Sequence, residues 1–172
     1  MGPLDLKNWH RSAFQSAGSL GVMAIIAVGA DHAGYVLKER LAAELRDLGH
    51  EVLDLGAYST DRVDYPDYGA AVGHAVSGGD ADLGVCVCGS GIGIAMAANK
   101  VPGVRAATVH DATSARLTRQ HNDANVLCLG ERLTGPEVAS EALRAWLEAE
   151  FEGGRHAGRV AKLSDLDGWA ES

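Results

Sequence analysis

The sequence predicts an α/β fold: a doubly wound, Rossmann-like αβα sandwich around a five-stranded parallel sheet. From Met23 onward, short apolar runs alternate with segments of helical periodicity, a pattern typical of repeated parallel β/α units. The chain has 172 residues, of which 47% are hydrophobic and 22% charged. That length suits one well-buried core and is too short for two ordinary domains. We therefore expect one domain over residues 23–172.

Residues 1–22 differ from the rest of the chain. They carry scattered charged side chains and no apolar run long enough for a signal peptide or a membrane span. The segment MAIIAVGADHAG, which begins at Met23, has the composition expected of a domain start. We interpret residues 1–22 as a leader or upstream extension. The alternative is an ordered arm that packs on a partner subunit.

The first half of the domain predicts three strands and two helices. The strands are the apolar runs AIIAVG at 24–29, HEVLDLG at 50–56 and DLGVCVC at 82–88. Leucines recur on one face of the first helix at Leu37, Leu41, Leu45 and Leu48. Gly49 ends that helix, and Pro66 near the start of the run 65–79 favours a second helix there.

The second half continues the alternation. Two further strands are predicted, VRAATV at 104–109 and ANVLCLG at 124–130. Three helical segments accompany them, at 94–100, 111–121 and 134–151. Asp111 is placed to cap the middle one, and Thr134 and Glu137 have the spacing of a capping box at the start of the last.

Composition excludes several classes of protein. The formal charge of −8 argues against a nucleic-acid binder, which normally has a basic face. Three cysteines, an odd number, do not make a secreted disulfide framework, and their spacing does not match a zinc site. We therefore expect a soluble cytoplasmic protein with reduced thiols, and no membrane partner.

Polar residues follow four of the predicted strands. In doubly wound sheets, ligands bind outside the carboxyl ends of the strands. The segments at those ends are Asp31–His32, CGSGIG at 88–93, His110–Asp111 and Gly130–Arg132. We expect the functional site at this edge of the sheet.

The glycine loop that follows the third strand is predicted to bind an anion. Gly89, Gly91 and Gly93 let several backbone N–H groups point into one hollow at a helix start. A dinucleotide fingerprint would need glycine where Ile94 stands, and the Walker A ending is absent. Cys88 borders the hollow, where N–H groups favour a thiolate, although the residues alone leave a buried core thiol equally open.

The other two cysteines have a simpler interpretation. Cys86 lies inside the third predicted strand and Cys128 inside the fifth. We expect both to be small buried thiols of the core.

Five motifs carry a resemblance to a known family. They are GADHAGY at 29–35, DYP at 64–66, CGSGIGIAMAANK at 88–100, RQHNDANVL at 119–127 and EGGRHAGRV at 152–160. On these motifs the chain resembles the ribose-5-phosphate isomerase B family, within the larger group of sugar-phosphate isomerases. The resemblance spans about residues 23 to 160, with the motifs in the family's order and spacing.

The resemblance implies an aldose–ketose isomerase without metal or organic cofactor. Such an enzyme moves a proton between C1 and C2 of an open-chain sugar phosphate through a cis-enediolate. Cys88 would be the base, while the Ser90 hydroxyl and the N–H groups of the loop would hold the enediolate. These loop residues are Gly89, Gly91, Ile92 and Gly93. One branch of the family places Glu where this chain has Ile94, so the chain resembles the cysteine branch.

The same resemblance assigns ring opening to His121, with Asp31 as its counterpart across the site. His110 is at most a pocket residue. The remaining histidines outside the motifs are expected at the surface: His10, His50 and His74.

The phosphate needs cations gathered locally in an acidic chain. Arg155 and Arg159 stand four residues apart and could present two guanidinium forks if a helix begins there. The resemblance adds Arg132 and His32 on the phosphate, Asn122 on a sugar hydroxyl and Tyr65 over the sugar.

The resemblance also implies a homodimer or homotetramer whose pockets are shared between subunits. Two alternatives stay open. One is an isomerase of another phosphorylated sugar, such as allose or galactose 6-phosphate or a tetrose phosphate. The other is a non-catalytic sugar-phosphate sensor, which would need neither Cys88 nor His121.

Overall fold

A five-stranded, all-parallel sheet forms the centre of the molecule. The computed structural model describes residues 23–167, so the predicted leader at 1–22 lies outside it. The strands are β1 (Ile25–Ala30), β2 (Glu51–Asp54), β3 (Leu83–Cys88), β4 (Ala106–Thr108) and β5 (Val126–Gly130). Their order in the sheet is β2-β1-β3-β5-β4, and every neighbouring pair is parallel. The predicted sheet is confirmed, with β4 shorter than its apolar run.

Six α-helices connect and flank the strands in the described part of the chain. They are α1 (Tyr35–Asp47), α2 (Tyr65–Gly78), α3 (Ile92–Ala98), α4 (Ala112–Asn122), α5 (Pro136–Glu148) and α6 (Ala157–Leu166), the last preceded by a 3₁₀ turn (Gly154–His156). Gly49 follows α1 with a φ of +88°, which glycine adopts without steric cost. The Asp111 carboxylate accepts the Ser114 N–H at 2.7 Å and caps α4 as predicted.

The capping box predicted for α5 is wrong. Gly135 occupies the cap position and makes no side-chain cap hydrogen bond, while Pro136 begins the helix. The Thr134 N–H donates to the Gly130 carbonyl at 2.8 Å, which folds this segment into a tight turn. Thr134 is therefore drawn into the protein, where its Oγ1 is buried with no hydrogen-bond partner in the described structure.

The helices cover both faces of the sheet and create two apolar layers. On one face, α1 and α5 pack on alternate residues of the central strands, with Leu41, Leu143 and Trp146 fully buried. On the other face, α2 and α3 bury Val72 and Ile94 against the intervening residues. This is the predicted αβα sandwich. Within residues 23–167, none of the helices combines the length and the apolar character needed to cross a bilayer.

A buried ion pair links α1 to β2. The Lys38 side chain is fully buried, and its Nζ donates to both carboxylate oxygens of Asp54, at 2.9 and 2.8 Å. Glu39 lies 2.6 Å from the same Nζ. Burial lowers the pKa of Lys38, but the hydrogen bonds and charges of these two carboxylates outweigh it, so the pKa lies above its ordinary value. The sequence predicted neither the burial nor the pairing.

The outer strands of the sheet are its shortest. β2 has four residues and β4 has three. At β4, the side-chain amide of Asn99 pairs with the backbone of Ala106 through two hydrogen bonds of 2.8 Å. The Ala106 N–H donates to Asn99 Oδ1, and Asn99 Nδ2 donates to the Ala106 carbonyl.

Candidate active site

Three strand ends meet around Cys88. Because the strands are parallel, β1, β3 and β5 end at the same edge of the sheet, here called the carboxyl edge. Backbone hydrogen bonds tie them together there: the Asp31 N–H donates to the Val87 carbonyl at 3.3 Å, and the Glu131 N–H donates to the Cys88 carbonyl at 2.9 Å. The Arg132 N–H donates to the Gly89 carbonyl at 3.0 Å. The loop after β3 is thus fixed on both sides.

The Cys88 sulfur is held by the glycine loop. Its side chain is 4% exposed, and its Sγ accepts a hydrogen bond from the Gly91 N–H at 3.1 Å. Gly91 has a φ of +78°, and a Cβ there would lie 2.8 Å from the Leu129 carbonyl carbon. The Thr108 hydroxyl donates to the Gly91 carbonyl at 3.1 Å. The loop thus directs one of its backbone N–H groups at the Cys88 sulfur.

The other two thiols belong to the core, as predicted. Cys86 and Cys128 are register partners on β3 and β5, and both are completely buried. The hydrogen bond between Cys128 and Cys86, together with burial, raises the pKa of Cys128 well above its ordinary value. The Cys128 thiol therefore stays protonated at neutral pH.

Two large side chains lie against the glycine loop. A Cβ added to Gly89 would lie 3.4 Å from the Arg132 side chain, and one added to Gly93 would lie 2.8 Å from the Tyr65 ring. A side chain at position 93 would therefore require the Tyr65 ring to move, whereas a Cβ at position 89 would make ordinary van der Waals contact with Arg132. The structure brings Tyr65 and Arg132, both predicted binding residues, to the loop that carries Cys88.

Asp31 and His32 follow β1 at the same edge. Asp31 is 7% exposed, and its Oδ1 accepts the Ala33 N–H at 2.9 Å. His32 Nδ1 lies 3.0 Å from the Val63 carbonyl oxygen and 3.3 Å from the Val63 N–H, so the ring is tied to the segment before α2 in either tautomer. Ser90 lies in the loop itself, with its Oγ 3.3 Å from the Ile92 N–H. His110 is exposed at the end of β4.

His121 and Asn122 lie at the opposite edge of the sheet. They occupy the last turn of α4, which starts after β4 at the carboxyl edge and ends before β5 begins. Side chains confirm this placement, since Arg105 Nε donates to the Asp123 carbonyl at 2.8 Å and Asn125 Nδ2 donates to the Gly103 carbonyl at 2.9 Å. A helix of 11 residues spans about 16 Å. One chain therefore does not bring His121 to its own Cys88.

The C-terminal segment lies beside His121. The Glu152 N–H donates to the Gln120 carbonyl at 3.0 Å. The rings of His121 and His156 stack with centroids 4.3 Å apart and an interplanar angle of 5°. Arg155, in the 3₁₀ turn, and Arg159, in α6, are exposed on this segment, and the predicted helix there begins at Ala157. Burial, and then the charges of His121 and Arg155, lower the pKa of His156.

Comparison with known proteins agrees with this fold. Residues 26–163 match the family described as Ribose/Galactose Isomerase. The chain belongs to this family. It is 47% identical to ribose-5-phosphate isomerase B of Escherichia coli (strain K12) over 145 residues, which cover 84% of this chain and 97% of that protein.

Two further family members show how far the likeness extends. The solved structure of Clostridium thermocellum ribose-5-phosphate isomerase B has 48% identity and a TM-score of 0.84, over 85% of this chain and 99% of that one. A protein named D-erythrulose-4-phosphate isomerase, from Pectobacterium atrosepticum, is 44% identical over 145 residues, which cover 82% of this chain and 93% of that protein. Family membership thus extends to proteins named for different sugars.

The sequence alone did not identify several residues that lie beside the glycine loop or beside His121. Thr108 reaches the loop only because β4 lies beside β5, and no local pattern marks that contact. His156 stands inside a motif quoted for the resemblance, and its neighbour Glu152 opens that motif. Of the histidines expected at the surface, His74 is exposed and His10 lies outside the described residues. His50 is half-buried and its Nδ1 accepts the Ala24 N–H at 3.3 Å, while burial lowers its pKa.

Proposed function

We propose that this protein is an aldose–ketose isomerase that interconverts D-ribose 5-phosphate and D-ribulose 5-phosphate through a cis-enediolate. The observation that carries the proposal is the Cys88 thiol, held by the Gly91 N–H at 3.1 Å in a glycine loop at the carboxyl edge. Membership of the ribose/galactose isomerase family supports the reaction class. The proposal includes no metal and no organic cofactor for the reaction.

In this proposal Cys88 is the base. Its thiolate takes the proton from C2 of the open-chain aldose, the proton of the C2 hydroxyl is transferred to the C1 oxygen, and the proton held by sulfur is returned to C1, which gives the ketose with its carbonyl at C2. Negative charge develops on the substrate oxygens during this transfer. The loop N–H groups and the Ser90 hydroxyl are the donors for that charge. Ile94, fully buried after the last glycine, offers no group that could replace the thiol.

Ring opening and phosphate binding are assigned to groups at both edges of the sheet. His121 and Asp31 move the protons that open the furanose ring, and Asn122 binds a sugar hydroxyl. Arg155, Arg159, Arg132 and His32 bind the phosphate. Since His121 and the Arg155–Arg159 segment lie at the edge opposite Cys88 in the same chain, the proposal requires a partner subunit to supply them.

We therefore propose a homodimer, or a dimer of such dimers, with each site shared between two chains. Exposed apolar side chains on α3 and α6 support an interface. Ile92 and Met96 are 47% and 63% exposed, and Leu163 and Leu166 are 44% and 54% exposed. No side chain of α6 is buried in the described chain, which fits a helix that packs on another subunit.

A second substrate is a specific alternative. The likeness to a protein named D-erythrulose-4-phosphate isomerase favours a tetrose phosphate, with the same base and the same phosphate contacts. The family description also names galactose, so a hexose 6-phosphate belongs in the same comparison. We place the enzyme in the cytoplasm, which the three free thiols support.

Steady-state isomerisation of D-ribose 5-phosphate tests the proposal. Cys88→Ala is expected to lower kcat by roughly 10²–10⁴, the range for loss of a general base. Cys86→Ala, two residues back on the same strand, is the matched control and should cost little. Activity should survive a chelator. An equal loss of kcat in Cys88→Ala and Cys86→Ala would mean that the loss comes from disturbed packing. Activity on another sugar phosphate but not on ribose 5-phosphate would change the proposed substrate and leave the proposed mechanism in place. Inactivity on every sugar phosphate would favour the sensor.

A further inference from the structure

We propose that His121, Glu152 and His156 form a binding site for a divalent transition-metal ion, Zn²⁺ or its probe Co²⁺, and that an ion bound there inhibits the enzyme. The inhibition rests on the proposed role of His121 in ring opening. The metal site itself rests only on the three side chains and their surroundings.

The donor atoms of these side chains converge. His121 Nε2 lies 3.9 Å from Glu152 Oε2, and His156 Nε2 lies 3.7 Å from the same oxygen. All three ligand atoms lie within 4.8 Å of one another. Ligand atoms around a tetrahedral Zn²⁺, with bonds near 2.0–2.1 Å, stand about 3.3–3.5 Å apart. An imidazole holds a metal ion in its own plane, so one of the two parallel rings must turn about χ2 out of the stack for both to reach one ion.

The backbone fixes the three residues next to one another. The Glu152 N–H donates to the Gln120 carbonyl at 3.0 Å, which holds the carboxylate beside the last turn of α4. His156 is 5% exposed, and its N–H donates to the Gly153 carbonyl at 2.9 Å. A site whose ligands are already ordered loses less entropy when the ion binds.

A contact with Arg155 determines which nitrogen of His156 is available. Arg155 Nε lies 3.2 Å from His156 Nε2, and a guanidinium can only donate. His156 Nε2 therefore carries its lone pair, the form that ligates a metal, and the proton is on Nδ1. Arg155 is exposed and free to turn toward solvent when an ion takes its place.

The donor set selects the ion. Two imidazoles and one carboxylate suit Zn²⁺ and its neighbours in the first transition row, whereas Mg²⁺ and Ca²⁺ prefer oxygen ligands. The same set, with water as the fourth ligand, holds Zn²⁺ in known zinc peptidases. Once its Nε2 is coordinated, His121 can neither give nor take a proton at that atom. Binding thus removes the group assigned to ring opening.

Titration with Co²⁺, followed by its visible ligand-field absorption, tests the site directly. The Cys88→Ala background removes the loop thiol as a competing ligand. In this background, Glu152→Gln and His156→Gln are each expected to weaken Co²⁺ binding by at least the roughly 10–100-fold that an outer-shell partner is worth. His74→Gln, which changes an exposed histidine on α2, is the matched control and should bind as before. Added Zn²⁺ should displace the bound Co²⁺ and abolish its visible absorption, whereas added Mg²⁺ should leave that absorption unchanged.

Inhibition is measured on chains that keep Cys88, with each variant compared to its own metal-free rate. Zn²⁺ should inhibit the unmodified protein and His74→Gln, a chelator should reverse this, and Glu152→Gln should resist. The proposed site would be overturned if the Cys88→Ala protein bound no Co²⁺, or if Glu152→Gln and His156→Gln both bound Co²⁺ as tightly as that protein does. Binding without inhibition would overturn the regulatory half. If the protein isomerises no sugar phosphate, the proposed function fails while the Co²⁺ titration still decides the site.

Discussion

Two inactive variants, Cys88→Ala and His121→Asn, are expected to restore each other's activity when their subunits mix. Cys88 ends β3 at the carboxyl edge, and His121 lies in the last turn of α4 at the other edge. The 11 residues of that helix span about 16 Å. Residues so far apart within one chain cannot both contact the reacting end of one sugar. In the proposed dimer, a complete site takes Cys88 from one subunit and His121 from its partner.

The expected recovery follows from counting sites. Random association of equal amounts of the two variants makes about half of the dimers mixed, by the two-fold symmetry of the interface. In a mixed dimer, one site lacks both residues and the other has both. About half of the sites in the mixed dimers are then intact, so the whole mixture should show about a quarter of the unmodified activity.

Co-expression with two different affinity tags provides the assay. Tandem purification isolates the mixed dimers, mass spectrometry verifies their composition, and ribose 5-phosphate isomerisation is then measured. Cys88→Ala paired with a chain carrying both substitutions is the matched control, since no arrangement of those chains gives an intact site. Verified mixed dimers that recover no more activity than this control would refute the shared site.

Further predictions concern the phosphate and the buried ion pair. Arg155→Ala and Arg159→Ala should each raise KM about 10–100-fold with kcat nearly unchanged, because each guanidinium donates charged hydrogen bonds to the phosphate. Lys162→Ala, which removes an exposed cation on the helix that carries Arg159, is the control, and a loss of kcat alone would place the phosphate elsewhere. Lys38→Met should lower the free energy of unfolding in urea by about 3 kcal/mol, since Asp54 then stays half-buried without its cation. The pKa of Lys38 is raised on folding, so the pair's contribution is complete below the unfolded pKa and is lost as pH rises through the folded pKa. Alkaline pH should therefore destabilise the unmodified protein more steeply than Lys38→Met, and equal slopes would contradict the assignment.

The sheet and its helices could be predicted because the spacing of apolar residues distinguishes strands from helices, and because turn and capping residues mark where several elements begin or end. Gly49 and Asp111 act locally, through a φ that suits glycine and a side chain that caps its own helix. Thr134 did not behave as its spacing predicts, because the turn from Gly130 buries it before α5 begins. Such a turn depends on packing at the sheet edge, which the local sequence does not encode.

Part of the candidate site could likewise be predicted from strand order. Asp31 and Cys88 follow parallel strands, and the carboxyl ends of such strands meet at one edge. The position of Lys38 could not be predicted, because lysine is normally exposed and its partner Asp54 lies on another element. The Thr108 contact with Gly91 also depends on which strands are neighbours, and order along the chain does not give that.

The amide of Asn99 protects an edge that would otherwise recruit other chains. An outer strand normally presents a row of unpaired N–H and C=O groups on which a foreign strand can assemble. At β4 a side chain takes the place of that strand, since one amide both donates to and accepts from Ala106. With only three residues in β4 and four in β2, little template remains for cross-β stacking. The sheet is thus parallel and open at both ends, yet each of its outer strands offers few free backbone groups to a strand of another chain.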